Sequence, residues 1–300
     1  MGQLDGRVAV ITGAGSGLGR EHALLLASEG AQVVVNDLHG AAAVVEEITA
    51  AGGEAVPVEG SVADLEVGER LVTAAVESFG DLHVVVNNAG VVRDAMVWNM
   101  TEEQFDLVLD VHLKGAFAVT RAAARHWRAR AKAGATADRS IVSTTSSAGL
   151  HGNVGQWNYA AAKAGLVAQT LTAVLELGRY GVRANAIAPM ARTAMLAGNP
   201  GFSAAVAAPE AEGALDRYHP KHVSPLVGYL ATADCPFTGQ VFSVTGGHLG
   251  LYAGWSLTHQ VDADRQWSVK ELAEELGSDA FPKSIPVNRQ RLLPVDGSAH

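Results

Sequence analysis

The chain has 300 residues, 48% of them hydrophobic, so it is long enough to bury a large core and too apolar to be disordered by composition. Its formal net charge of -9 disfavours non-specific contact with nucleic acid or with anionic lipid. A small anionic ligand is not excluded, because such a ligand needs only a local patch of basic residues.

A single cysteine, Cys235, excludes an intramolecular disulfide and is typical of a reducing compartment. The first apolar segment of the chain is too short for a secretory core or a membrane span. The eleven histidines show no clustered ligand spacing, so we expect no metal site. We therefore expect a cytoplasmic protein that binds neither nucleic acid nor a membrane.

Short valine-rich runs alternate with longer segments rich in alanine and leucine. Most runs lack apolar–polar alternation, which is typical of strands buried on both faces of a parallel sheet. Seven strands are predicted in chain order, at residues 8–12, 32–36, 55–58, 84–88, 140–143, 183–187 and 240–244. Helices with spaced apolar positions are predicted at residues 19–28, 41–50, 65–79, 101–130 (as two helices) and 159–178. This alternation predicts an α/β fold with a doubly wound, Rossmann-like parallel sheet and helices on both faces.

Two segments depart from this pattern. Residues 194–220 are rich in Ala, Gly and Pro and fall between the sixth and seventh strands, which favours a mobile substrate lid, with a disordered surface loop as the alternative. After residue 250 the alternation stops, and only a short helix near residues 268–276 is predicted. The expected organisation is a catalytic domain over residues 1–250, including the lid, followed by a C-terminal extension over residues 251–300.

The first predicted strand ends in a glycine-rich loop, Thr-Gly-Ala-Gly-Ser-Gly-Leu-Gly at residues 12–19. Glycines there let the backbone turn sharply and approach a pyrophosphate, and the helix that follows offers free N–H groups and the positive end of its dipole. A position after a buried strand and before a helix indicates a dinucleotide site. The candidate binding residues in this loop are Gly13, Ser16, Gly17, Leu18 and Gly19.

The second strand is followed by Asp37 and Leu38, which lie roughly twenty residues after the glycines, where a carboxylate can accept hydrogen bonds from the ribose hydroxyls. The same carboxylate would repel a 2′-phosphate, and no Arg or Lys occurs between Gly13 and Gly19 to bind one. Both features favour NAD over NADP. The alternative role of Asp37 is to cap the next helix.

Tyr159 and Lys163 are four residues apart, so they share one face of a helix. An unperturbed tyrosine has a pKa of about 10, and a neighbouring ammonium group would lower that pKa. Tyr159 is therefore a candidate general base for alcohol oxidation and general acid for ketone reduction. Ser146, just past the fifth strand, can orient a substrate oxygen at the ligand edge of the sheet, or it can simply cap a turn.

These motifs, taken in order over residues 4–250, resemble the short-chain dehydrogenase/reductases. Besides the glycine loop, they are Asn87-Asn88-Ala89-Gly90, Ser146, Tyr159 with Lys163, and Asn185-Ala186-Ile187-Ala188-Pro189. The resemblance implies that Ser146, Tyr159 and Lys163 are catalytic and that Lys163 also holds the cofactor ribose.

The same resemblance extends the predicted cofactor site to two further loops. Asn88, Ala89 and Gly90 would pass beside the adenosine half of the cofactor. Ala191 and Thr193, just after Pro189, would meet the nicotinamide carboxamide. Members of the family are usually dimers or tetramers, so the resemblance also implies a homodimer or a homotetramer.

Several shorter stretches look like the dehydrogenase part of the peroxisomal multifunctional enzyme type two, also called 17β-hydroxysteroid dehydrogenase type four. They include Val34-Val35-Asn36-Asp37-Leu38 and the run over residues 152–159. This resemblance implies oxidation of a 3-hydroxyacyl-CoA, with a hydroxysteroid or another bulky substrate as the alternative. A dinucleotide-binding protein without catalysis is disfavoured, because Ser146, Tyr159 and Lys163 are all present.

Two positions depart from the family pattern. His112 stands where many members carry an asparagine that holds a water for proton relay, and an imidazole with a pKa near neutrality could relay protons itself or merely pack locally. Ser61, followed by Val62, stands where many members have an aspartate facing the adenine, and its hydroxyl can still hydrogen-bond there. Candidate basic residues for the phosphates of CoA are Arg93, Arg192, Arg217 and Lys221, with ordinary surface charge as the alternative.

Overall fold

The computed structural model of the chain describes residues 2–135, 137–193, 206–209, 215–264 and 266–277. Most of the predicted lid at residues 194–220 lies outside these described residues. The chain divides into two units, Met1–Tyr252 and Ala253–His300.

The valine-rich runs form the strands, because β-branched side chains pack well on a pleated surface that is buried on both faces. The strands are β1 (Val8–Thr12), β2 (Gln32–Asp37), β3 (Glu54–Glu59), β4 (Val84–Asn87), β5 (Arg139–Thr144), β6 (Val182–Pro189), β7 (Val241–Thr245) and β8 (His248–Leu251). They form one sheet in the order β3-β2-β1-β4-β5-β6-β7-β8. The first seven are parallel to their neighbours, which confirms the predicted doubly wound α/β fold.

The eighth strand corrects the prediction of seven. β8 pairs antiparallel with β7, with Thr245 opposite His248. The two residues between them are glycines, and Gly247 has a φ of 78°, in the left-handed region that favours glycine. The sequence pattern missed this strand because it is short and its residues are mostly exposed.

Helices cover both faces of the sheet. In chain order they are α1 (Gly17–Ser28), α2 (Ala41–Ala50), α3 (Leu65–Phe79), α4 (Glu102–Leu109), α5 (Gly115–Lys132), α6 (Ser147–His151), α7 (Trp157–Leu177) and α8 (Ser224–Ala231). A π-helical turn, Asp110–Lys114, joins α4 to α5, within the segment predicted as two helices. Alternate strand residues enter opposite cores: Ala9 and Ile11 pack on one face of the sheet, and Val8 and Val10 on the other.

The long helix α7 packs against α4, α6 and β6. With its last turn it is long and apolar enough, by length and composition alone, to cross a membrane, but core helices of globular domains share that composition. Lys163 and Thr170 are among its buried residues. The Thr170 hydroxyl donates to the Leu166 carbonyl within the helix, whereas the Lys163 ammonium group reaches the carboxyl end of β5.

Charged side chains cluster at the opposite edge, where the parallel strands begin. The carboxylate of Asp138 accepts hydrogen bonds from Arg7 at 3.0 Å and from Arg183 at 2.7 and 2.9 Å. Asp81 accepts from Arg139, which is 1% exposed. A buried guanidinium is tolerated only when it is paired, so these contacts fix the starts of β1, β4, β5 and β6.

The second unit contains one described helix, α9 (Val269–Gly277), where the sequence predicts a helix near residues 268–276. Ser268 and Glu271 start it with reciprocal hydrogen bonds. The Glu271 carboxylate accepts from the Ser268 N–H at 2.9 Å, and the Ser268 hydroxyl accepts from the Glu271 N–H at 3.2 Å.

Candidate active site

The glycine loop between β1 and α1 packs so closely at Gly13 and Gly19 that neither position can carry a side chain. Gly13 has a φ of 63°, and a Cβ added to it would lie 2.6 Å from the Cα of Ala89. A Cβ on Gly19 would lie 2.1 Å from the carbonyl oxygen of Gly13. Helix α1 begins at Gly17, and the Ser16 before it makes no side-chain capping hydrogen bond, so the first turn of the helix keeps N–H groups for a ligand.

The loop after β4 holds the glycine loop in place. The Asn88 side chain donates to the carbonyls of Thr12 at 3.0 Å and Gly13 at 3.2 Å. The Thr12 hydroxyl in turn accepts from the N–H groups of Asn88 and Ala89. Asn88 therefore holds the glycine loop in its conformation, and a substitution that removes the Asn88 amide would make that loop more mobile.

Asp37 lies at the end of β2, and its carboxylate faces the glycine loop. One oxygen accepts from the Gly15 N–H at 2.9 Å and the other from the Leu38 N–H at 2.7 Å. Helix α2 is preceded by Gly40, so the alternative role of Asp37 as its cap is wrong. Each carboxylate oxygen keeps a lone pair for another donor.

The residues after β3 lie at the same edge of the sheet. The Ser61 hydroxyl accepts from the Ala63 N–H at 3.3 Å. Val62 packs against the start of α5, where a Cβ on Gly115 would lie 2.6 Å from its Cγ2. Ser61 thus shapes its own turn, whereas Val62 is 5% exposed and belongs to the core.

Ser146, Tyr159 and Lys163 meet where β5 and α7 adjoin. Ser146 precedes α6, and its hydroxyl accepts from the Ala148 N–H at 3.2 Å. Ser146 lies close enough to the Tyr159 phenol to lower the pKa of that phenol, and the ammonium nitrogen of Lys163 lies 5.5 Å from the Tyr159 ring centroid. The same nitrogen donates to the Thr144 carbonyl at 2.5 Å, at the carboxyl end of β5.

The pKa of Tyr159 differs from the expectation, which was that the charge of Lys163 lowers it. Although part of the ring reaches solvent, burial raises the pKa of Tyr159 to about 12, and the neighbouring Ser146 hydroxyl offsets only part of this rise. The charge of Asp94 also raises this pKa. Burial lowers the pKa of Lys163 to about 7, so near neutrality this lysine carries only part of the charge expected to act on Tyr159.

The buried lysine predicts a pH dependence of stability. Its pKa falls from 10.5 to about 7 on folding, so the unfolded chain binds more protons between those two values. The free energy of unfolding should therefore rise with pH in that window, by roughly 2 kcal/mol between pH 7 and pH 9. Urea unfolding of the wild type and of Lys163→Met at both pH values measures the difference. An equal pH response in the two proteins would contradict a lowered pKa.

His112 lies in the π-helical turn and is 2% exposed. Its ring meets the Tyr159 ring edge-on, with centroids 5.2 Å apart, and its Nε2 lies 2.7 Å from the Val91 carbonyl and 3.0 Å from the Val91 N–H. Burial, followed by the charge of Lys163, lowers the pKa of His112 well below its ordinary value. The imidazole is therefore neutral, against the expectation of a pKa near neutrality. A Cβ on Gly90 would lie 2.3 Å from the ring, which explains the glycine there.

Asn158 is a polar residue of the site that the sequence reasoning missed. It is fully buried, and its side-chain oxygen accepts from the Tyr159 N–H at 2.7 Å. Its amide donates to the carbonyls of Arg93 at 3.1 Å and Gln104 at 2.9 Å. Asn158 thus fixes the first turn of α7, and with it Tyr159, to the loop before α4 and to α4 itself. A polar residue directly before a candidate tyrosine is the signal that could have found it.

The residues after β6 close the other side of the glycine loop. A Cβ on Gly17 would lie 3.7 Å from the Thr193 methyl group, so the segment that begins at Pro189 reaches the glycine loop. Ala191 is buried in the core. Arg192 pairs with the carboxylate of Asp216, which already neutralises one of the candidate basic residues for CoA.

Comparisons with known proteins agree with this geometry. A family described as short chain dehydrogenase matches residues 7–200. The hydroxyacyl-CoA dehydrogenase ChsB1 of Mycobacterium tuberculosis is 47% identical over 285 residues, or 91% of this chain and 88% of that protein. The peroxisomal multifunctional enzyme type 2 of Drosophila melanogaster is 40% identical over 84% of this chain and 40% of that protein. A crystal structure of a short chain dehydrogenase from Mycobacterium avium superposes with a TM-score of 0.84 at 46% identity, covering 95% of this chain and 99% of that one.

Proposed function

The chain belongs to the short-chain dehydrogenases, and from that membership we propose that it oxidises the secondary alcohol of a 3-hydroxyacyl-CoA and passes the hydride to NAD. The observation that carries the proposal is the meeting of Ser146, Tyr159 and Lys163 at the sheet edge that also carries the glycine loop. The similarity to a hydroxyacyl-CoA dehydrogenase supports the choice of substrate.

Each member of the cluster has a separate task in this proposal. The Ser146 hydroxyl donates a hydrogen bond that orients the substrate oxygen, and Tyr159 takes the hydroxyl proton. Lys163 stabilises the phenolate and holds the cofactor ribose. The nicotinamide ring of bound NAD supplies the hydride acceptor, and the hydride leaves the carbon that becomes the ketone.

The raised pKa of Tyr159 bears on the direction of the reaction. A phenol with a pKa of about 12 keeps its proton near neutral pH, so the protein alone favours the proton-donating form that ketone reduction needs. Oxidation needs the phenolate, and positive charge from Lys163 and from an oxidised nicotinamide favours that form.

The residues around the glycine loop fit a nicotinamide dinucleotide. Gly13 and Gly19 let the backbone of the loop pack closely against Ala89 and against itself, and the first turn of α1 offers N–H groups to a pyrophosphate. The carboxylate of Asp37 supports NAD over NADP, because it can accept from ribose hydroxyls and would repel a 2′-phosphate. Arg20, on the first turns of α1, is already paired with Glu47 and Glu21.

The substrate class is tested by following the reduction of NAD with a panel of 3-hydroxyacyl-CoA thioesters and free hydroxysteroids. Turnover of the thioesters supports the proposal. Turnover of free steroids alone would overturn the acyl-CoA assignment and support a hydroxysteroid dehydrogenase. Cofactor binding without turnover of any substrate would support a dinucleotide-binding protein that is not an enzyme.

The cofactor preference predicts a specific loss in Asp37→Ser. Removing the carboxylate should raise the KM for NAD about tenfold, because hydrogen bonds to the ribose are lost. The ratio of kcat/KM with NAD to kcat/KM with NADP should fall, because the repulsion of the 2′-phosphate is lost as well. Steady-state kinetics with both cofactors measure the change. Asp64→Ser is a matched control, since Asp64 also follows a strand and accepts a backbone hydrogen bond, from Glu66 at 2.9 Å. An unchanged NAD/NADP ratio in Asp37→Ser would overturn this assignment.

The catalytic domain over residues 1–250, the cytoplasmic location and the homodimer or homotetramer stay predictions of the sequence.

A further inference from the structure

Two tryptophan side chains near Tyr159 are left in contact with solvent. Trp98 is 73% exposed and Trp157 is 62% exposed. An indole has a large apolar surface, so its exposure costs more than that of most side chains. Both indoles border a groove beside the first turn of α7, which we call the tryptophan groove.

The tryptophan groove has two lobes that share Val97 and Trp157. The larger lobe is about 360 Å³ in volume and is lined mainly by apolar side chains, among them Met96, Trp98 and Val154. The smaller lobe is about 240 Å³ and includes Met100 and Phe105. Among the described residues that line the two lobes, Glu102 is the single charged one. The groove therefore suits an uncharged, apolar occupant.

Hydrogen bonds hold the walls of the groove together without a ligand. The Ala95 N–H donates to the Gly155 carbonyl at 2.9 Å. The Gln156 amide donates to both carboxylate oxygens of Asp94, at 3.1 and 3.2 Å. These contacts join the loop before α4 to the loop before α7, so the groove is formed in advance and its walls need little reordering on binding.

The groove lies next to the candidate active site. Gln156 lines the groove and donates to Asp94, whose charge acts on the Tyr159 phenol. Trp157 and Ala160, which also line the groove, belong to the same turn of α7 as Tyr159. An apolar group attached to a carbon that reacts at Tyr159 therefore has this groove within reach. The concave shape and the small volume fit part of a small molecule better than the flat face of another protein.

We propose that the tryptophan groove binds the apolar acyl chain beyond the reacting carbon and that Trp98 and Trp157 determine chain-length specificity. This inference rests on the proposed function, because it takes the substrate to be an acyl thioester. Burying one methylene group improves binding roughly fourfold, so a long chain should gain far more from the groove than a short one.

The test compares Trp98→Ala and Trp157→Ala with the wild type on 3-hydroxybutanoyl-CoA and 3-hydroxyhexadecanoyl-CoA. We expect kcat/KM for the sixteen-carbon substrate to fall roughly ten- to a hundredfold, mainly through KM, and kcat/KM for the four-carbon substrate to stay within about threefold. Leu175→Ala is the matched control, because Leu175 is 85% exposed on the same helix but does not line the groove. It should leave both substrates unchanged.

Titration of each protein with hexadecanoyl-CoA, followed by calorimetry, separates this inference from the proposed function. One outcome would be that the wild type turns over neither thioester, but binds hexadecanoyl-CoA, and that either tryptophan variant binds it less tightly. In that case the proposed function fails and the groove assignment stands. Equal losses for the two chain lengths, or no loss for either, would overturn the groove assignment. A smaller molecular mass of the tryptophan variants in light scattering would also overturn it, by showing that a second copy of the chain occupies the groove.

Discussion

Replacing Tyr159 with phenylalanine should lower kcat for alcohol oxidation by roughly 10²–10⁴-fold while dinucleotide binding changes by less than about threefold. The substitution removes only the phenolic oxygen, which is the atom that exchanges the proton. The ring should keep its place, because it packs edge-on against His112 and beneath the ammonium group of Lys163.

Two measurements separate this loss from misfolding. Single-turnover kinetics with saturating cofactor report the chemical step, and calorimetric titration with NAD reports binding. Tyr229→Phe is the control, because Tyr229 is 46% exposed on α8 and loses the same atom. If Tyr159→Phe keeps more than about a tenth of the wild-type kcat, another group accepts the proton and the assignment of the base is wrong.

A single methyl group at Gly13 should remove dinucleotide binding, with an affinity loss of roughly a hundredfold or more. The added Cβ would lie 2.6 Å from the Cα of Ala89, a distance that real Cβ contacts essentially never show. The atoms of Ala89 that the new Cβ would meet are backbone atoms, which cannot rotate away as a side chain can. The clash can therefore be relieved only by moving the glycine loop or the loop after β4. Either movement changes the surface that would accept the pyrophosphate, and a displacement of about 1 Å in a positioned site is costly.

Gly52→Ala separates the clash from the strain of a positive φ. Gly52 has a φ of 87°, and a Cβ there meets nothing within 4 Å. This control should lose about 1–2 kcal/mol of stability from the left-handed backbone and should bind NAD as the wild type does. Calorimetric titration and thermal unfolding of both variants give the comparison. Wild-type affinity in Gly13→Ala would contradict the close packing of the two loops.

The residues of the candidate site could be predicted from the sequence because they belong to local patterns. Glycines after a buried strand, and a tyrosine and lysine at helical spacing, can be recognised without knowing the tertiary structure. Parallel strands share one carboxyl edge, so Ser146 and the glycine loop had to lie at the same side of the sheet. The structure brings these residues together for that reason.

The features that the sequence could not supply depend on contacts between distant segments. The direction of the Tyr159 pKa follows from burial, which no local pattern reports. The role of Asn158 needs the carbonyls of Arg93, in the loop after β4, and of Gln104, in α4. Trp98 and Trp157 form one groove only after the loops that carry them are joined. Strand β8 was missed because its exposed residues do not form a core pattern.

The charged contacts at the amino ends of the strands have a consequence for how such a protein changes over generations. Asp138 with Arg7 and Arg183, and Asp81 with Arg139, fasten the end of the sheet that lies away from the candidate chemistry. The ion pairs that stabilise the sheet and the loops that are proposed to select the substrate therefore lie at opposite ends of the strands. Mutations in the loops at the carboxyl ends leave the ion pairs at the amino ends intact. Directed evolution can therefore change the substrate preference of the protein without removing these stabilising contacts.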